Sequence, residues 1–175
     1  MGSGAGTIGD ITLNTTLNSE ERAKFQNSKV IRELLKSAKI IAIVGLSTEK
    51  TKASNMVASY LQDEGYTIVP IHPKAEEILG EKCYPNLSSV PFQIDVVDVF
   101  RPPHEVEKIV EEAIQIKAKA VWTQLKLTDL LASQKALDAG LISIADKCIK
   151  MEHGRYGGQL HWAGMNTEVI SAKRR

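Results

Sequence analysis

The sequence predicts a single α/β domain built on a doubly wound parallel sheet with helices on both faces. A short, unbroken apolar run rich in β-branched residues at 40–44, and a mainly apolar run at 95–100, indicate strands that are buried on both sides. Segments with apolar residues at helical spacing separate these runs, and this alternation favours right-handed crossovers within one sheet. The chain has 175 residues, 43% of them hydrophobic, which is enough for one domain with a full core.

Composition excludes several classes of function. The net charge of +1 gives no basic excess for a nucleic-acid surface. Cys83 and Cys148 are the only cysteines, too few for a disulfide framework and without the spacing of metal ligands. No apolar run has the length of a membrane span, and the amino end lacks the hydrophobic core of a signal peptide. We therefore expect a cytoplasmic protein with no nucleic-acid or membrane partner.

The amino-terminal part contains a leader and then a helix. Residues 1–18 mix Gly, Ser, Thr and Asn without periodicity, which predicts a disordered leader. Asn18 or Ser19 can cap a helix that has acidic residues in its first turn. Apolar residues at positions 30, 31, 34 and 35 then form a stripe that we expect to pack on the sheet.

The central unit of the chain is residues 39–61. Residues 40–44 form a buried strand that ends at Gly45, and apolar residues at 56, 57, 60 and 61 mark the helix that follows. Ser54 stands where the N-cap of this helix is expected. A strand, a glycine turn and a helix start form the unit at which open α/β sheets bind phosphate-bearing ligands.

The loop between this strand and helix matches neither common phosphate-binding motif. A dinucleotide fingerprint needs three glycines and a Walker A loop needs Gly-Lys-Ser/Thr, whereas this loop has only Gly45. Its remaining groups are hydroxyls and cations that can hold an anion, at Ser47, Thr48, Lys50, Thr51, Lys52 and Ser54. From these residues alone, a solvated loop explains the pattern equally well.

The rest of the chain continues the alternation of strands and helices. The expected elements are a strand at 66–71, a helical turn at 75–80 closed by glycine, a short edge strand at 82–85, a strand at 95–100, a helix marked by apolar residues at 109, 110, 113 and 114, a strand at 118–123, a helix at 128–139 and a last strand at 141–145.

Polar residues follow the predicted strands and share one edge of such a sheet. They are Gly45 and Ser47, His72 and Lys74, Arg101, Gln124, and Asp146 with Lys147. Pro102 and Pro103 offer an apolar wall for an adenine ring, and the cations Lys50, Lys52, Lys74 and Arg101 offer charge for several phosphates. A single lysine on such a loop is nevertheless more often only solvated.

Seven short motifs in this order resemble the stand-alone coenzyme A-binding proteins. They are Val-Gly-Leu-Ser at 44–47, Gly-Tyr at 65–66, Pro-Ile-His-Pro-Lys at 70–74, Ile-Leu-Gly-Glu-Lys-Cys-Tyr-Pro at 78–85, Asp-Val-Val-Asp-Val-Phe-Arg at 95–101, Trp-Thr-Gln-Leu at 122–125, and Asp-Lys-Cys-Ile-Lys-Met-Glu-His at 146–153. That family is similar in fold to the amino-terminal domain of the succinyl-coenzyme A synthetase α subunit. The resemblance covers about residues 28–153.

The resemblance implies a Rossmann-like sheet of order 3-2-1-4-5-6 with coenzyme A, or an acyl-coenzyme A, lying across the strand tips. It implies a domain at 19–153 and a carboxyl-terminal extension at 154–175. The implied ligand-binding residues are Gly45, Leu46, Ser47, Lys50, Lys52 and Ser54 at the phosphates, His72, Pro73, Lys74, Arg101 and Pro102 beside the nucleotide, and Gln124 at a neighbouring strand tip. The family usually has arginine where Lys52 and Lys147 stand, and lysine keeps the charge but loses the bidentate fork.

No catalytic set is evident in the sequence. The four histidines, at 72, 104, 153 and 161, show neither a hydrolase triad order nor zinc spacing with the cysteines. The related ligase also needs a phosphohistidine domain and a nucleotide-grasp subunit, for which this chain has no room. We therefore expect a non-catalytic module that binds coenzyme A as a sensor or carrier. The acyl group, any protein partner and the oligomeric state stay open.

Three other hypotheses remain at this stage. An NAD(P)-dependent oxidoreductase can use the same fold, although the missing glycines and His72 in place of an acidic residue after the second strand disfavour it. A ligase subunit that works with a separate grasp chain would co-purify with that chain. Cys83 is either a packed thiol or a thiol that forms a mixed disulfide with coenzyme A.

Overall fold

The computed structural model describes residues 16–156, which contain six α-helices and seven β-strands. The helices are α1 (Ser19–Phe25), α2 (Ser28–Ser37), α3 (Ala53–Asp63), α4 (Pro103–Gln115), α5 (Leu130–Asp138) and α6 (Ile149–Tyr156). The strands are β1 (Ile40–Val44), β2 (Thr67–Ile71), β3 (Glu77–Ile78), β4 (Glu81–Lys82), β5 (Val96–Val99), β6 (Ala120–Thr123) and β7 (Ile142–Ile144). Most of the predicted leader at 1–18 and of the extension at 154–175 lies outside the described residues, so both boundaries stay predictions.

Five strands form one parallel sheet in the order β2-β1-β5-β6-β7, which confirms the predicted fold class. The expected order has one more strand, on the outer side of β2, and this strand is reduced to a single bridge between Ile71 and Tyr84. There Tyr84 N–H donates to the Pro70 carbonyl, and His72 N–H donates to the Tyr84 carbonyl, each at 2.9 Å. In the predicted edge strand at 82–85, Lys82 therefore belongs to β4, and Tyr84 forms the bridge at the outer side of β2.

Helices cover both faces of the sheet, as predicted. On one face, Ile31, Leu61 and Ile149 from α2, α3 and α6 pack on alternate strand residues such as Ile43 and Trp122. On the other face, Val106 and Val110 of α4 and Ala136 of α5 pack on the intervening strand residues, such as Val97 and Val99. Because both faces are buried, the strands are mostly apolar, with buried polar exceptions such as Asp98 and Ser143, and such apolar runs identify the strands in the sequence.

Two local predictions are wrong. The segment at 75–80 is not a helical turn, because β3 and β4 form a hairpin whose two turn residues, Leu79 and Gly80, both have positive φ (54° and 77°). The amino-terminal helix is two helices, since Asn27 caps α2 by accepting N–H groups of Lys29 and Val30. The predicted N-cap is confirmed at Asn18, which forms a capping box with Glu21 at the start of α1.

The last helix is fastened across α3. The Nδ1 atom of His153 in α6 lies 2.9 Å from the Tyr60 hydroxyl, and the ring of Tyr66 meets the imidazole edge-on. Burial lowers the pKa of His153, so the imidazole is neutral in this contact at pH 7. Between residues 16 and 156, no helix is both long and apolar enough to cross a membrane.

Candidate functional site

A cleft of about 630 Å³ opens at the carboxyl ends of β1 and β2, beside the first turns of α4. This is the size range of small-molecule sites. It is lined by Val44, Gly45, Leu46, Ser47, Ile71, His72, Pro73, Pro85, Asn86, Leu87, Arg101, Glu105, Lys108, Ile109 and Glu112. The cleft therefore lies at the sheet edge where the sequence predicts ligand binding.

Gly45 is required by the geometry of the cleft. Its φ is +87°, and a Cβ atom there would lie 2.5 Å from the Phe100 carbonyl oxygen and 2.6 Å from Cδ of Arg101. Both distances are too short for a carbon contact, and residues other than glycine rarely adopt this backbone conformation. Glycine thus allows the Arg101 side chain to lie against the loop after β1.

Two side chains of α3 hold the backbone of Ser47. Ser47 N–H donates to Ser54 Oγ at 3.0 Å, and Asn55 Nδ2 donates to the Ser47 carbonyl at 2.9 Å. Ser54 is therefore not the N-cap that the sequence predicts. Lys52 occupies the N-cap position without a side-chain hydrogen bond, so no side chain at that position caps the amino end of α3.

His72 closes the turn after β2. Its Nδ1 accepts the backbone N–H of Lys74 at 3.1 Å and that of Ala75 at 2.8 Å. Because Nδ1 accepts in both bonds, the proton of the neutral imidazole lies on Nε2. His72 therefore shapes the wall of the cleft and keeps Nε2–H as a donor.

Arg101 and Glu105 form a bidentate ion pair in the cleft. Nε and Nη2 of the guanidinium donate to the two carboxylate oxygens at 2.8 and 2.7 Å. The side chains are 45% and 35% exposed; Arg101 precedes α4, and Glu105 lies in the first turn of that helix. The hydrogen bonds from Arg101 lower the pKa of Glu105, and the same bonds raise the pKa of Arg101. Both groups are therefore charged at neutral pH.

The cleft brings together half of the predicted binding residues: Gly45, Leu46, Ser47, His72, Pro73 and Arg101. The other six, Lys50, Lys52, Ser54, Lys74, Pro102 and Gln124, are not among the residues that line it. Lys50 lines a separate groove of about 330 Å³ between α3 and the β3–β4 hairpin. Pro102 precedes α4 at its N-cap position.

Sequence reasoning missed the far wall of the cleft. Pro85, Asn86 and Leu87 reach it because the bridge at Tyr84 sets them beside β2. Glu105, Lys108, Ile109 and Glu112 share one face of α4, at helical spacing directly after Pro103. That spacing is a signal in the sequence, but it does not tell which face of the helix meets the cleft.

Gln124 takes part in a buried network. Its Nε2 donates to Asp98 Oδ1 at 2.5 Å, and its Oε1 accepts the N–H of Ile149 at 3.3 Å, at the start of α6. Burial raises the pKa of Asp98 to about 8, so this carboxyl is protonated at pH 7. Both groups of the Gln124 amide are thus engaged inside the protein.

Residues 39–154 match the family described as "CoA binding domain". The chain belongs to this CoA-binding domain family. It is 37% identical to the uncharacterized protein YneT of Bacillus subtilis over 123 residues. The aligned segment covers 70% of this chain and 91% of YneT. A solved structure of a hypothetical protein from Pyrococcus horikoshii is 44% identical, with a TM-score of 0.73, over 75% of this chain and 92% of the other.

This CoA-binding domain is also related to part of much longer ligases. The ADP-forming acetate–CoA ligase I of Archaeoglobus fulgidus is 34% identical over 74 residues, 42% of this chain but only 11% of the ligase. The dinucleotide-forming acetyl-coenzyme A synthetase 1 of Ca. Korarchaeum cryptofilum shares the fold, with a TM-score of 0.53 at 22% identity over 26% of its chain.

Proposed function

We propose that this protein binds coenzyme A or an acyl-coenzyme A in the cleft, as a small non-catalytic module that serves as a sensor or carrier. The observation that carries the proposal is the position of the cleft. In a chain of the CoA-binding domain family, Gly45 and Arg101 lie side by side at the carboxyl ends of β1 and β5. A reducing, cytoplasmic setting belongs to the proposal, since both cysteines are free thiols.

In this proposal, the phosphates of the ligand lie between the loop after β1 and Arg101. The guanidinium supplies charge, and the amino end of α3, which lies behind Ser47 and outside the lining of the cleft, adds the positive end of its helix dipole. Ser54 and Asn55 hold Ser47 against this helix end, so they fix the loop without touching the ligand. Lys50, Lys52 and Lys74 contribute a field around the site, since they are not part of its lining.

The adenine ring is assigned to the apolar part of the cleft. Ile71 and Pro73 form one side, and Leu87 and Ile109 form the other. Apolar walls with a few edge hydrogen bonds are what a base requires. His72 Nε2–H and the amide group of Asn86, both in the lining, can donate those edge bonds.

A second role, as one chain of a CoA ligase, is supported by the 34% identical ligase segment. In that case the module would act with a separate grasp chain. Purification of this protein from its native host tests this role. A ligase subunit should co-purify with a grasp chain in stoichiometric amount, whereas an independent module should not.

Titration calorimetry with coenzyme A, acetyl-coenzyme A, NAD and NADP, run with reductant, tests the proposal. Coenzyme A should bind, and Arg101→Gln should weaken it about tenfold through loss of a charged hydrogen bond. Arg32→Gln is the matched control, because Arg32 lines a different groove beside His153. Binding of NAD or NADP without coenzyme A would overturn the proposal and restore the oxidoreductase hypothesis.

A further inference from the structure

The charges that line the cleft balance one another. Arg101 and Lys108 are its cations, and Glu105 and Glu112 are its anions. A site for a ligand with several phosphates is expected to carry a net positive charge, so a neutral lining calls for an explanation. Arg101 is the cation beside the loop after β1, and Glu105 neutralises it through two hydrogen bonds.

We infer that Glu105 is an internal anion that competes with the ligand phosphate for Arg101 and thereby sets the affinity of the cleft. This inference rests on the proposed function, because it concerns the regulation of the same site. A phosphate that binds Arg101 through Nε and Nη2 must displace the Glu105 carboxylate, since that carboxylate already accepts from both nitrogens. A phosphate that uses the remaining edge of the guanidinium instead lies beside a like charge.

The position of Glu105 on its helix supports the competition. Glu105 lies in the first turn of α4, where the helix amino end favours an anion, so the carboxylate takes the place that a phosphate would prefer. At the same time the pair is half-exposed and joins neighbouring turns of one segment. Such pairs are weak, so a doubly charged phosphate can replace the carboxylate.

Arg101 is held so that it can serve either anion. Its Cδ lies against Gly45, which fixes the stem of the side chain beside the loop after β1. Only the guanidinium has to turn from Glu105 toward that loop. The exchange therefore requires a rotation of the guanidinium and leaves the backbone of the cleft unchanged.

Isothermal titration of coenzyme A and of ADP into the wild type and Glu105→Gln tests this inference. Glutamine keeps the shape of the side chain and removes its charge. At low ionic strength, the Kd for both ligands should fall about fivefold, the effect of one charge removed near a phosphate in a solvated cleft. The matched control is Glu107→Gln, whose carboxylate is 66% exposed and pairs with Lys135 in α5 at 3.7 Å.

The double variant Arg101→Gln/Glu105→Gln shows whether the effect acts through Arg101. In the Arg101→Gln background, the Glu105 change should improve affinity much less than in the wild type, because no guanidinium is left to compete for. An equal gain in both backgrounds, an equal gain in Glu107→Gln, or an unchanged or raised Kd in Glu105→Gln would each overturn the inference.

The ADP measurements separate this inference from the proposed function. If coenzyme A does not bind to the wild type but ADP binds more tightly to Glu105→Gln, the proposed ligand is wrong and the competition stands. If coenzyme A binds and Glu105→Gln has no effect, the proposed ligand stands and the competition is wrong. Absence of binding by both ligands to both proteins would overturn both.

Discussion

The carboxyl edge of the sheet has an open half and a closed half. At the tips of β1, β2 and β5, polar residues face the cleft, among them Ser47, His72 and Arg101. At the tips of β6 and β7, Gln124 and Asp146 are 5% and 3% exposed, beneath the start of α6. Both halves come from the same pattern in the sequence, an apolar strand followed by polar residues.

The closed half uses its polar groups to attach α6 to the sheet. Trp122 Nε1 donates to the Lys147 carbonyl at 2.7 Å, and Lys126 N–H donates to Asp146 Oδ1 at 2.8 Å. Gln124 joins Asp98 to the first turn of the helix. A polar residue at a strand tip is therefore a ligand candidate only where no later element of the chain covers it.

The largest expected effect concerns the closed half and pH. Burial raises the pKa of Asp98 in the folded protein to about 8, so the folded state favours the protonated carboxyl. The resulting stability is fully present at pH values below the pKa of the unfolded state, and it is lost as the pH rises through 8. The free energy of unfolding should fall by up to about 1.4 kcal/mol per pH unit between pH 5 and 8. Asp98→Asn should remove this slope, as urea unfolding at several pH values will show.

Asp95→Asn is the control for that prediction. Burial raises the pKa of Asp95, but the N–H groups of Ile40 and Lys39 and the Lys119 ammonium outweigh it and hold the pKa below its ordinary value. The stability that Asp95 contributes is present at pH values above its pKa in the unfolded state, and it is lost only on acidification. If Asp95→Asn removed the slope between pH 5 and 8 and Asp98→Asn kept it, the assignment to Asp98 would be wrong.

In the open half, Gly45→Ala should have the largest effect on stability. The new Cβ meets the Phe100 carbonyl, so we expect a loss of about 3 kcal/mol from strain and overpacking together. Gly65→Ala is the control, because Gly65 also has a positive φ of 98° but no atom within 4 Å of the added carbon, and it should cost about 1 kcal/mol. Equal losses in denaturant unfolding would show that the close approach to Phe100 and Arg101 is unimportant.

A pair of substitutions tests the division into halves directly. Gln124→Ala should lower stability by about 2 kcal/mol, because it removes the side-chain hydrogen bond to the buried Asp98 carboxyl and the acceptor of the Ile149 N–H, and it should leave the Kd for coenzyme A unchanged. Arg101→Gln should do the reverse, with stability within about 0.5 kcal/mol of the wild type. Thermal melts and titrations of both variants provide the comparison. A weakened Kd in Gln124→Ala would place that side chain in the site after all.

The smallest effects are expected for the lysines of the loop after β1. Lys50→Gln and Lys52→Gln should each weaken coenzyme A binding by less than about twofold, and only at low ionic strength, since these residues act through the field and not by contact. Titrations at low and high salt measure this. If either variant weakened coenzyme A binding as much as Arg101→Gln, that lysine would be in direct contact with a phosphate.

The sequence was most informative where one local rule decides the structure. The apolar runs identified the strands, and the glycine at 45 identified the loop of the site. Ser54 was recognised as important, but its role depends on the fold of the loop, which brings Ser47 N–H to its hydroxyl. The hairpin at Leu79 and Gly80 was missed because a short apolar run before glycine is typical of a helix end as well.

The parts of the site that were not predicted depend on packing between distant segments. Glu105 and Glu112 lie in the cleft only because α4 presents one face toward Leu87, whose N–H donates to Glu112 Oε2 at 3.4 Å. Gln124 was included because strand tips share an edge, and α6, which covers it, arrives 25 residues later in the chain. The hypothesis of a mixed disulfide at Cys83 stays a prediction. Burial raises the pKa of this thiol and leaves it 7% exposed, and both features lower its reactivity.

The single bridge at Tyr84 has a consequence for how a ligand enters. A full strand at this edge would fasten residues 85–87 to β2 through a ladder, whereas here two backbone hydrogen bonds at Tyr84 do so. Amide hydrogen exchange at Tyr84 should therefore be much faster than in β1, which is paired on both sides. Exchange at Tyr84 that is faster than in β1 would mean that the outer edge of the cleft opens locally and admits the ligand while the central sheet stays intact.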